Sequence, residues 1–220
     1  MTIAFGALGV PFAVWLAASS PAVQSALPDT CPPPVRRAGD TCQPRAVRVT
    51  IYNRSRLQGP DIDRMLQVTN RVWGPYGVVF ETGNGPGAVA VVLLDGPSLP
   101  NDNERVVLGT TLFTEGHATP YMRLSLAAAE AFANESHEGG VPYNARPQEQ
   151  RDEILDRMLG VALAHEMAHY LLDTAEHSRV GLLQAGLTMH ELAYPEATRL
   201  TLTAAQQRLL CPAPAVSCSR

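Results

Sequence analysis

The first half of the chain alternates between the hydrophobic spacing of strands and that of helices. Ala46–Tyr52 alternates apolar and polar side chains, as a half-buried β-strand does. Across Asp61–Trp73 the apolar residues recur at helical spacing, and the Gly-Pro pair that follows ends the predicted helix. Gly77–Glu81 and the apolar run Ala88–Leu94 predict two more strands. A strand, a helix and then further strands predict an α/β sheet with a right-handed crossover.

The second half is dominated by one long helical pattern. Arg105–Phe113 and Tyr121–Ala127 predict two more strands, one of them an antiparallel edge strand, while Ala127–Ala133 fits a turn of helix equally well. Apolar residues at helical spacing predict a long helix over Pro147–Leu172, and Leu200–Leu210 predicts a short final helix. The predicted fold class is therefore α/β (α+β): a twisted mixed sheet with an antiparallel edge strand, a crossover helix and a long helix.

The two ends of the chain differ from its middle. The uncharged apolar run Ile3–Ala18, followed by small residues, is typical of a signal peptide, to which we assign residues 1–26. We therefore expect a secreted or periplasmic protein; an uncleaved anchor or a misassigned start codon are the alternatives. Residues 27–45 hold five prolines and predict an irregular arm. Residues 46–210 are predicted to form the folded domain, and residues 211–220 a cysteine-containing tail.

Four cysteines lie in two pairs near the ends of the chain. None has CxxC spacing or lies near the histidines discussed below, so thiolate ligation of a metal is not expected. In an exported chain an even number of cysteines predicts disulfides. We favour the pairs Cys31–Cys42 and Cys211–Cys218, with bridges between the termini as the alternative. In a reducing compartment all four would be free thiols.

Composition and charge narrow the function classes. A chain of 220 residues with 45% hydrophobic residues can bury the core of one domain. The formal net charge is -4, and the 17 basic residues, all arginine, are scattered without a basic stripe, which argues against nucleic-acid binding. Beyond the amino-terminal run, no stretch approaches the roughly 20 apolar residues that a membrane span needs. Composition leaves the oligomeric state open.

The motif that carries chemistry lies in the last turns of the predicted long helix. His165 and His169 bracket Glu166 in an HExxH sequence. Residues four apart share one face of a helix, so both imidazoles can reach one ion. Two histidines leave a tetrahedral Zn²⁺ room for a third ligand and a water, whose proton Glu166 can accept as the zinc-bound water attacks a carbonyl. The alternative is a metal-free helix that exposes these side chains on its polar side.

The third ligand must come from beyond the HExxH motif. His177 lies eight residues past His169, after a predicted turn, and is our first choice because a third imidazole suits zinc. Glu191 is the second candidate, although no clear helix surrounds it. Asp173 is a further candidate, with two interpretations: a ligand carried on the long helix, or the residue that ends that helix.

Other side chains are weaker candidates for chemistry. Tyr170 or Tyr194 would suit stabilisation of an oxyanion, although a tyrosine is more often a packing residue. His117 and His137 fall in predicted loops, where a solvated surface is the favoured interpretation and a second metal site the alternative.

The stretch Ala164–Gly186, AHEMAHYLLDTAEHSRVGLLQAG, resembles the metzincin metallopeptidases, and in particular small bacterial relatives in which a serine follows the third histidine. The resemblance implies that His165, His169 and His177 bind Zn²⁺. It also implies that Glu166 is the general base of a zinc metalloendopeptidase with a peptide or protein substrate. A metzincin-like (zincin-like) domain, with the long helix as its active-site helix, is the fold that the resemblance implies.

The chain departs from the metzincin pattern in two places. Metzincins place a glycine between the second and third histidines, which lie six residues apart, whereas here the spacing is eight and Asp173-Thr174 is expected to make the turn. Metzincins also carry a methionine beneath the metal; Leu183 stands at the matching position, and Met189 is the alternative floor residue. These departures motivate the second hypothesis, a secreted non-catalytic metal-binding or interaction protein on the same fold.

Overall fold

The computed structural model describes residues 45–96, 106–135, 141–196, 198 and 200–210. Within these ranges five strands form one sheet in the order β2-β1-β3-β5-β4. The strands are β1 (Arg45–Arg54), β2 (Val78–Thr82), β3 (Val89–Leu94), β4 (Gly109–Thr114) and β5 (His117–Ser125). The predicted signal peptide, residues 27–44 of the proline-rich arm, the tail and all four cysteines lie outside the described residues, as does His137. Arg45, assigned to the arm from the sequence, is the first residue of β1.

Strand pairing confirms the predicted mixed α/β sheet with an antiparallel edge strand. β1 runs parallel to both of its neighbours, β2 and β3, and β3 runs parallel to β5. Only β4, at one edge, is antiparallel to its neighbour within the described sheet. Parallel neighbours need a crossover connection, and the first helix provides it between β1 and β2.

The described helices are α1 (Gly59–Trp73), α2 (Leu126–Glu135), α3 (Gln148–Leu172), α4 (Met189–Ala193) and α5 (Ala204–Leu210). The expectation that no helix surrounds Glu191 is wrong, because Thr188 and Glu191 form a capping box that starts α4. Of the two interpretations of Ala127–Ala133, the helical one is right. None of the described helices is long and apolar enough to cross a membrane.

The last two strands, β4 and β5, begin at different places from those the pattern predicts. β5 begins at His117, four residues before the predicted Tyr121, because Glu115 and Gly116 both adopt positive φ and make a tight hairpin turn after β4. β4 begins at Gly109, and its pairing with β5 is irregular between Thr111 and Phe113. The bulge lies beside the site described below.

Helix α3 is held close to α1 at a glycine. A Cβ at Gly160 would lie 2.6 Å from the backbone oxygen of Met65 and 2.6 Å from Cβ of Val68, so only glycine permits this approach. Two side chains of α1 then donate to carbonyls of α3: the Thr69 hydroxyl to Gly160 at 3.0 Å, and the Trp73 indole to the carbonyl before His165 at 3.1 Å. The helix that carries the motif is thereby fixed in position by its neighbour.

Candidate metal centre and its cleft

Three histidine side chains converge at the carboxyl end of α3. His165 and His169 project from the helix, and His177 arrives from the loop that follows it. One ring nitrogen from each lies within 4.8 Å of the others, and the ring centroids are 4.8 to 5.3 Å apart. Among the described residues this is the one group of three or more potential ligand side chains that can hold a metal ion. Of the candidates for a third ligand, His177 is thus the one that joins the pair on the helix.

Backbone carbonyls orient the two helical imidazoles. Nδ1 of His165 lies 2.7 Å from the carbonyl oxygen of Leu182, and Nδ1 of His169 lies 2.7 Å from that of Thr174. A carbonyl oxygen can only accept a hydrogen bond, so each Nδ1 carries the proton and each Nε2 presents a lone pair. Such a partner on the far nitrogen is the usual arrangement for a histidine that binds a metal.

The two Nε2 atoms of His165 and His169 lie 3.1 Å apart. With both protons on Nδ1 there is no hydrogen between them, and two lone pairs that face each other at this distance repel unless a positive charge lies nearby. Two imidazole nitrogens bound at about 2.0–2.1 Å to one tetrahedral zinc would be separated by about 3.3 Å. The spacing and chemistry of these atoms therefore fit a bound metal ion.

His165 is partly buried and His169 is buried, which favours the neutral imidazole, the form that binds a metal; His177 is more exposed. Burial, with a smaller contribution from the neighbouring histidines, lowers the pKa of His165 to about 4. The pKa values of His169 and His177 are also lowered, in both cases mainly by burial. Protons therefore do not compete for the ligand nitrogens near neutral pH.

Asp173, a candidate ligand from the sequence, makes the turn between the histidines instead. It caps α3 in the left-handed conformation, with φ 47° and ψ 52°, which aspartate tolerates better than most residues. Its carboxylate accepts a hydrogen bond from the backbone N–H of Ala118 at 2.7 Å and contacts Nδ1 of His117 at 2.7 Å. The chain therefore turns at Asp173-Thr174 without a glycine, as predicted. The aspartate of this turn is hydrogen-bonded to the start of β5, next to the β4–β5 hairpin turn.

Two of the remaining predicted site residues, Glu191 and Met189, lie in α4, and the third, Leu183, lies in the turn that follows His177. Glu191 caps α4, where its carboxylate accepts hydrogen bonds from Thr188, and it does not join the three histidines. Met189 begins the same helix and lines a small separate pocket. Leu183 is fully buried in the turn that supplies the carbonyl to His165. Neither tyrosine considered for the oxyanion, Tyr170 or Tyr194, lines the cleft described below.

Glu166 lies beside the histidines and is almost completely buried, with 7% of its surface exposed. The Thr111 hydroxyl on β4 lies 2.8 Å from its Oε2 and 3.0 Å from its backbone oxygen. Burial raises the pKa of Glu166 to about 7, against the hydrogen bonds from Thr111, which lower it. A Cβ at Gly109 would lie 2.9 Å from Cγ of Glu166, so this glycine makes room for the glutamate.

The three histidines and Glu166 line an open cleft of about 830 Å³. Edge strand β4 forms one wall with Gly109, Thr110, Thr111 and Phe113, and Phe132 of α2 contributes an apolar surface. The segment Gln184–Leu187 and Leu192 of α4 also line the cleft. A buried carboxylate and three neutral imidazoles thus lie in a cavity of a size that accepts a ligand.

Several residues of this site carry no signal in the sequence. Thr111 and Gly109 lie more than fifty residues before the glutamate that they contact, in a strand with no distinctive motif. The carbonyls of Leu182 and Thr174 act through the backbone, so their side-chain identities do not reveal them. Only the folded chain brings them to the histidines.

No family model matches the chain, and no curated protein matches it. Among solved structures, the chain is similar to the crystal structure of metalloproteinase-II from Bacteroides fragilis, with a TM-score of 0.38 and 13% sequence identity. The match covers 84% of this chain and 57% of that chain, so this protein spans little more than half the length of its neighbour. A likeness this remote carries no conclusion about activity.

Proposed function

We propose that this protein is a zinc-dependent metallopeptidase, with His165, His169 and His177 as the zinc ligands and Glu166 as the general base. The observation that carries the proposal is the 3.1 Å approach of two imidazole lone pairs, joined by a third histidine beside a buried glutamate. Three neutral nitrogen ligands with access from an open cleft match a catalytic zinc site, which keeps one coordination position free, better than a closed structural site. Zn²⁺, when bound, supplies Lewis-acid chemistry: it makes water acidic near neutral pH and polarises a carbonyl.

Glu166 is the residue that moves the proton in this proposal. In the metal-free protein, burial raises its pKa to about 7, so this carboxylate binds a proton more tightly than an exposed glutamate does. It would take the proton of the attacking water and give it to the leaving amine of the peptide. Thr111 holds one carboxylate oxygen, which leaves the other to face the reacting water. A bound cation would favour the ionised carboxylate, the form that acts as the base.

The proposal is tested on the purified full-length chain with Glu166→Gln and His177→Ala. We expect the wild-type protein to contain one zinc per chain by elemental analysis and to cleave members of a broad peptide library. Glu166→Gln should keep the zinc and lose turnover by at least about 100-fold, since general-base catalysis contributes that much or more. His177→Ala should bind zinc about 100-fold or more weakly and should also lose turnover. Glu149→Gln, an exposed glutamate in the first turn of the same helix, is the matched control. Undiminished turnover by Glu166→Gln would refute the mechanism.

The second candidate function is a secreted non-catalytic metal-binding or interaction protein on the same fold. The eight-residue spacing of the second and third histidines and the leucine at position 183 favour it, because both depart from the metzincin pattern. It predicts stoichiometric metal but no cleavage of any library peptide. For either function we propose export, on the pattern of residues 1–26, which amino-terminal sequencing of the mature protein would test.

A further inference from the structure

One four-residue turn contacts the metal centre at two points. Gly181–Gln184 is closed by a hydrogen bond from the N–H of Gln184 to the oxygen of Gly181 at 3.1 Å. Within the turn, the carbonyl of Leu182 accepts from Nδ1 of His165 at 2.7 Å. The carbonyl of Leu183 accepts from the N–H of Ser178, the residue that follows His177, at 2.8 Å. The position of this turn therefore affects a ligand on the helix and the ligand on the loop.

A distant segment, Leu200–Leu202, holds this turn in place. The N–H of Leu182 donates to the carbonyl of Thr201 at 2.9 Å. Gly181 has φ 84°, and a Cβ there would lie 2.2 Å from that same carbonyl oxygen, so only glycine allows the two backbones to meet. The side chains at both ends of the segment are almost fully buried.

The segment has an anchor of its own. The N–H of Leu202 donates to the hydroxyl of Tyr76 at 2.7 Å, and the Tyr76 ring packs edge-to-face on Trp73 with centroids 5.9 Å apart. Trp73 also donates to the carbonyl of Ala164, immediately before His165. The packed pair Trp73 and Tyr76 thus contacts both the helix and, at Leu202, the segment that holds the turn.

We propose that Thr201 and Gly181 are positioning residues of the metal centre. The backbone carbonyl of Thr201 fixes the N–H of Leu182. The carbonyl of the same residue, one α-carbon further along the chain, keeps the proton of His165 on Nδ1 and directs Nε2 towards the metal site. Neither residue touches the ion. The two bonds use adjacent peptide groups that share the α-carbon of Leu182, so a shift of the first group also moves the carbonyl that holds His165. The inference rests on the metal-binding part of the proposed function and is independent of peptidase activity.

The test compares Gly181→Ala with Gly87→Ala in the full-length protein. Gly87 has a similar φ of 77°, but a Cβ added there would have no heavy atom within 4 Å, so it reproduces the backbone strain without the contact. Zinc affinity, measured by competition with a chelator, should fall about 10- to 100-fold in Gly181→Ala, the usual effect of losing support around a metal ligand. It should be unchanged in Gly87→Ala.

A second variant, Tyr76→Phe, keeps the ring packing and removes the oxygen that accepts from Leu202. It should lower zinc affinity in the same direction but by less than Gly181→Ala. If Gly181→Ala does not fold, Tyr76→Phe decides the question alone, and wild-type zinc affinity together with an unchanged His165 imidazole signal in that variant would overturn the proposal.

The readout that separates positioning from general stability is the His165 imidazole in the metal-free protein. Nitrogen-15 NMR should show its proton on Nδ1, protected from solvent exchange in the wild type and in Gly87→Ala. Gly181→Ala should show at least tenfold faster exchange of that proton. A folded Gly181→Ala protein with the wild-type signal and zinc affinity would overturn the inference. If the wild type binds no zinc, the proposed function fails, and the NMR comparison still decides whether the turn positions the imidazole.

Discussion

Helix α3 and the loop that follows it bring histidines to the same point by different physical means. On the helix, the four-residue spacing alone places His165 and His169 on one face, and packing against α1 holds the face in position. His177 has no such local geometry, and it depends on the Asp173 turn and on backbone bonds to the turn Gly181–Gln184. The helix side is therefore rigid and buried, whereas the loop side is held by a few specific contacts.

This difference predicts that disruptive substitutions on the helix side strongly lower the stability of the fold, whereas substitutions on the loop side leave it nearly unchanged. Gly160→Val would force side-chain atoms against the backbone of Met65 and the side chain of Val68. Overpacking of this kind should lower the free energy of unfolding by about 3 kcal/mol or more, as measured by urea denaturation. Gly59→Val, at an open position in the first turn of α1, is the control. A Gly160→Val protein as stable as that control would contradict the close packing of α3 on α1.

Removing one histidine from each side should sharpen the contrast. His169→Ala and His177→Ala should each weaken zinc binding by about 100-fold or more, since each ligand contributes roughly 3 kcal/mol of a typical site. Only His169→Ala should also destabilise the metal-free protein, because His169 is 5% exposed and its loss leaves the carbonyl of Thr174 without its partner. Thermal unfolding of both metal-free variants checks this, and equal losses of stability would remove the distinction between the two sides.

Two aspartates, one on each side, should respond to pH with opposite signs. Asp156 on α3 is buried, which raises its pKa to about 6 despite a 2.6 Å bond from Arg64. Because the folded protein then binds the proton more tightly than the unfolded chain, this carboxyl stabilises the fold at low pH. That contribution, about 3 kcal/mol, is lost as the pH rises from about 4 to about 6. Asp173 has a lowered pKa, chiefly through its bond with His117, so its contribution is instead lost as the pH falls through the acid range.

The contribution of Asp156 is measured by comparing wild type with Asp156→Asn. The free energy of unfolding of both metal-free proteins is followed from pH 3 to pH 7, and one curve is subtracted from the other. Subtraction removes the contributions of Glu166 and of the histidines, whose shifted pKa values also make stability depend on pH. The difference should change by the amount given above between about pH 4 and pH 6. A flat difference curve would show that Asp156 is ionised throughout. The corresponding curve for Asp173→Asn should slope in the opposite direction.

The smallest predicted effect concerns the turn between the histidines. Asp173→Gly keeps the left-handed backbone and removes the carboxylate that bonds to Ala118 and His117. We expect zinc affinity to fall about tenfold, at the lower end of the effects seen when support around metal ligands is lost, with little change in thermal stability. Glu176→Gly, an exposed position in the same loop, serves as the control. An affinity equal to wild type would mean that the hairpin contact does not position the loop.

The hydrophobic pattern of the sequence predicts some elements of this fold and misses others. Hydrophobic periodicity predicts the first strand, the crossover helix and the long helix. Each is long enough for its buried side chains to recur at the spacing of a strand or a helix. The start of β5 escaped prediction because a non-glycine residue, Glu115, adopts positive φ in the hairpin turn. Helix α4 was not predicted because five residues are too few to show a periodic pattern. Its capping box, Thr188 with Glu191 three residues later, is the signal in the sequence that could have revealed it.

By itself the sequence determined the mixed α/β class, the long helix and the pairing of His165 with His169, because these depend on spacing within a single element. Only the tertiary structure brings His177, rather than Glu191 or Asp173, to the two helical histidines, and it adds Thr111, Leu182 and Thr201 to the site. Those contacts join residues far apart in the chain, and several use backbone atoms that every residue type possesses. Periodicity and spacing describe neighbours along the chain, and the contacts that complete this centre exist only after the chain has folded.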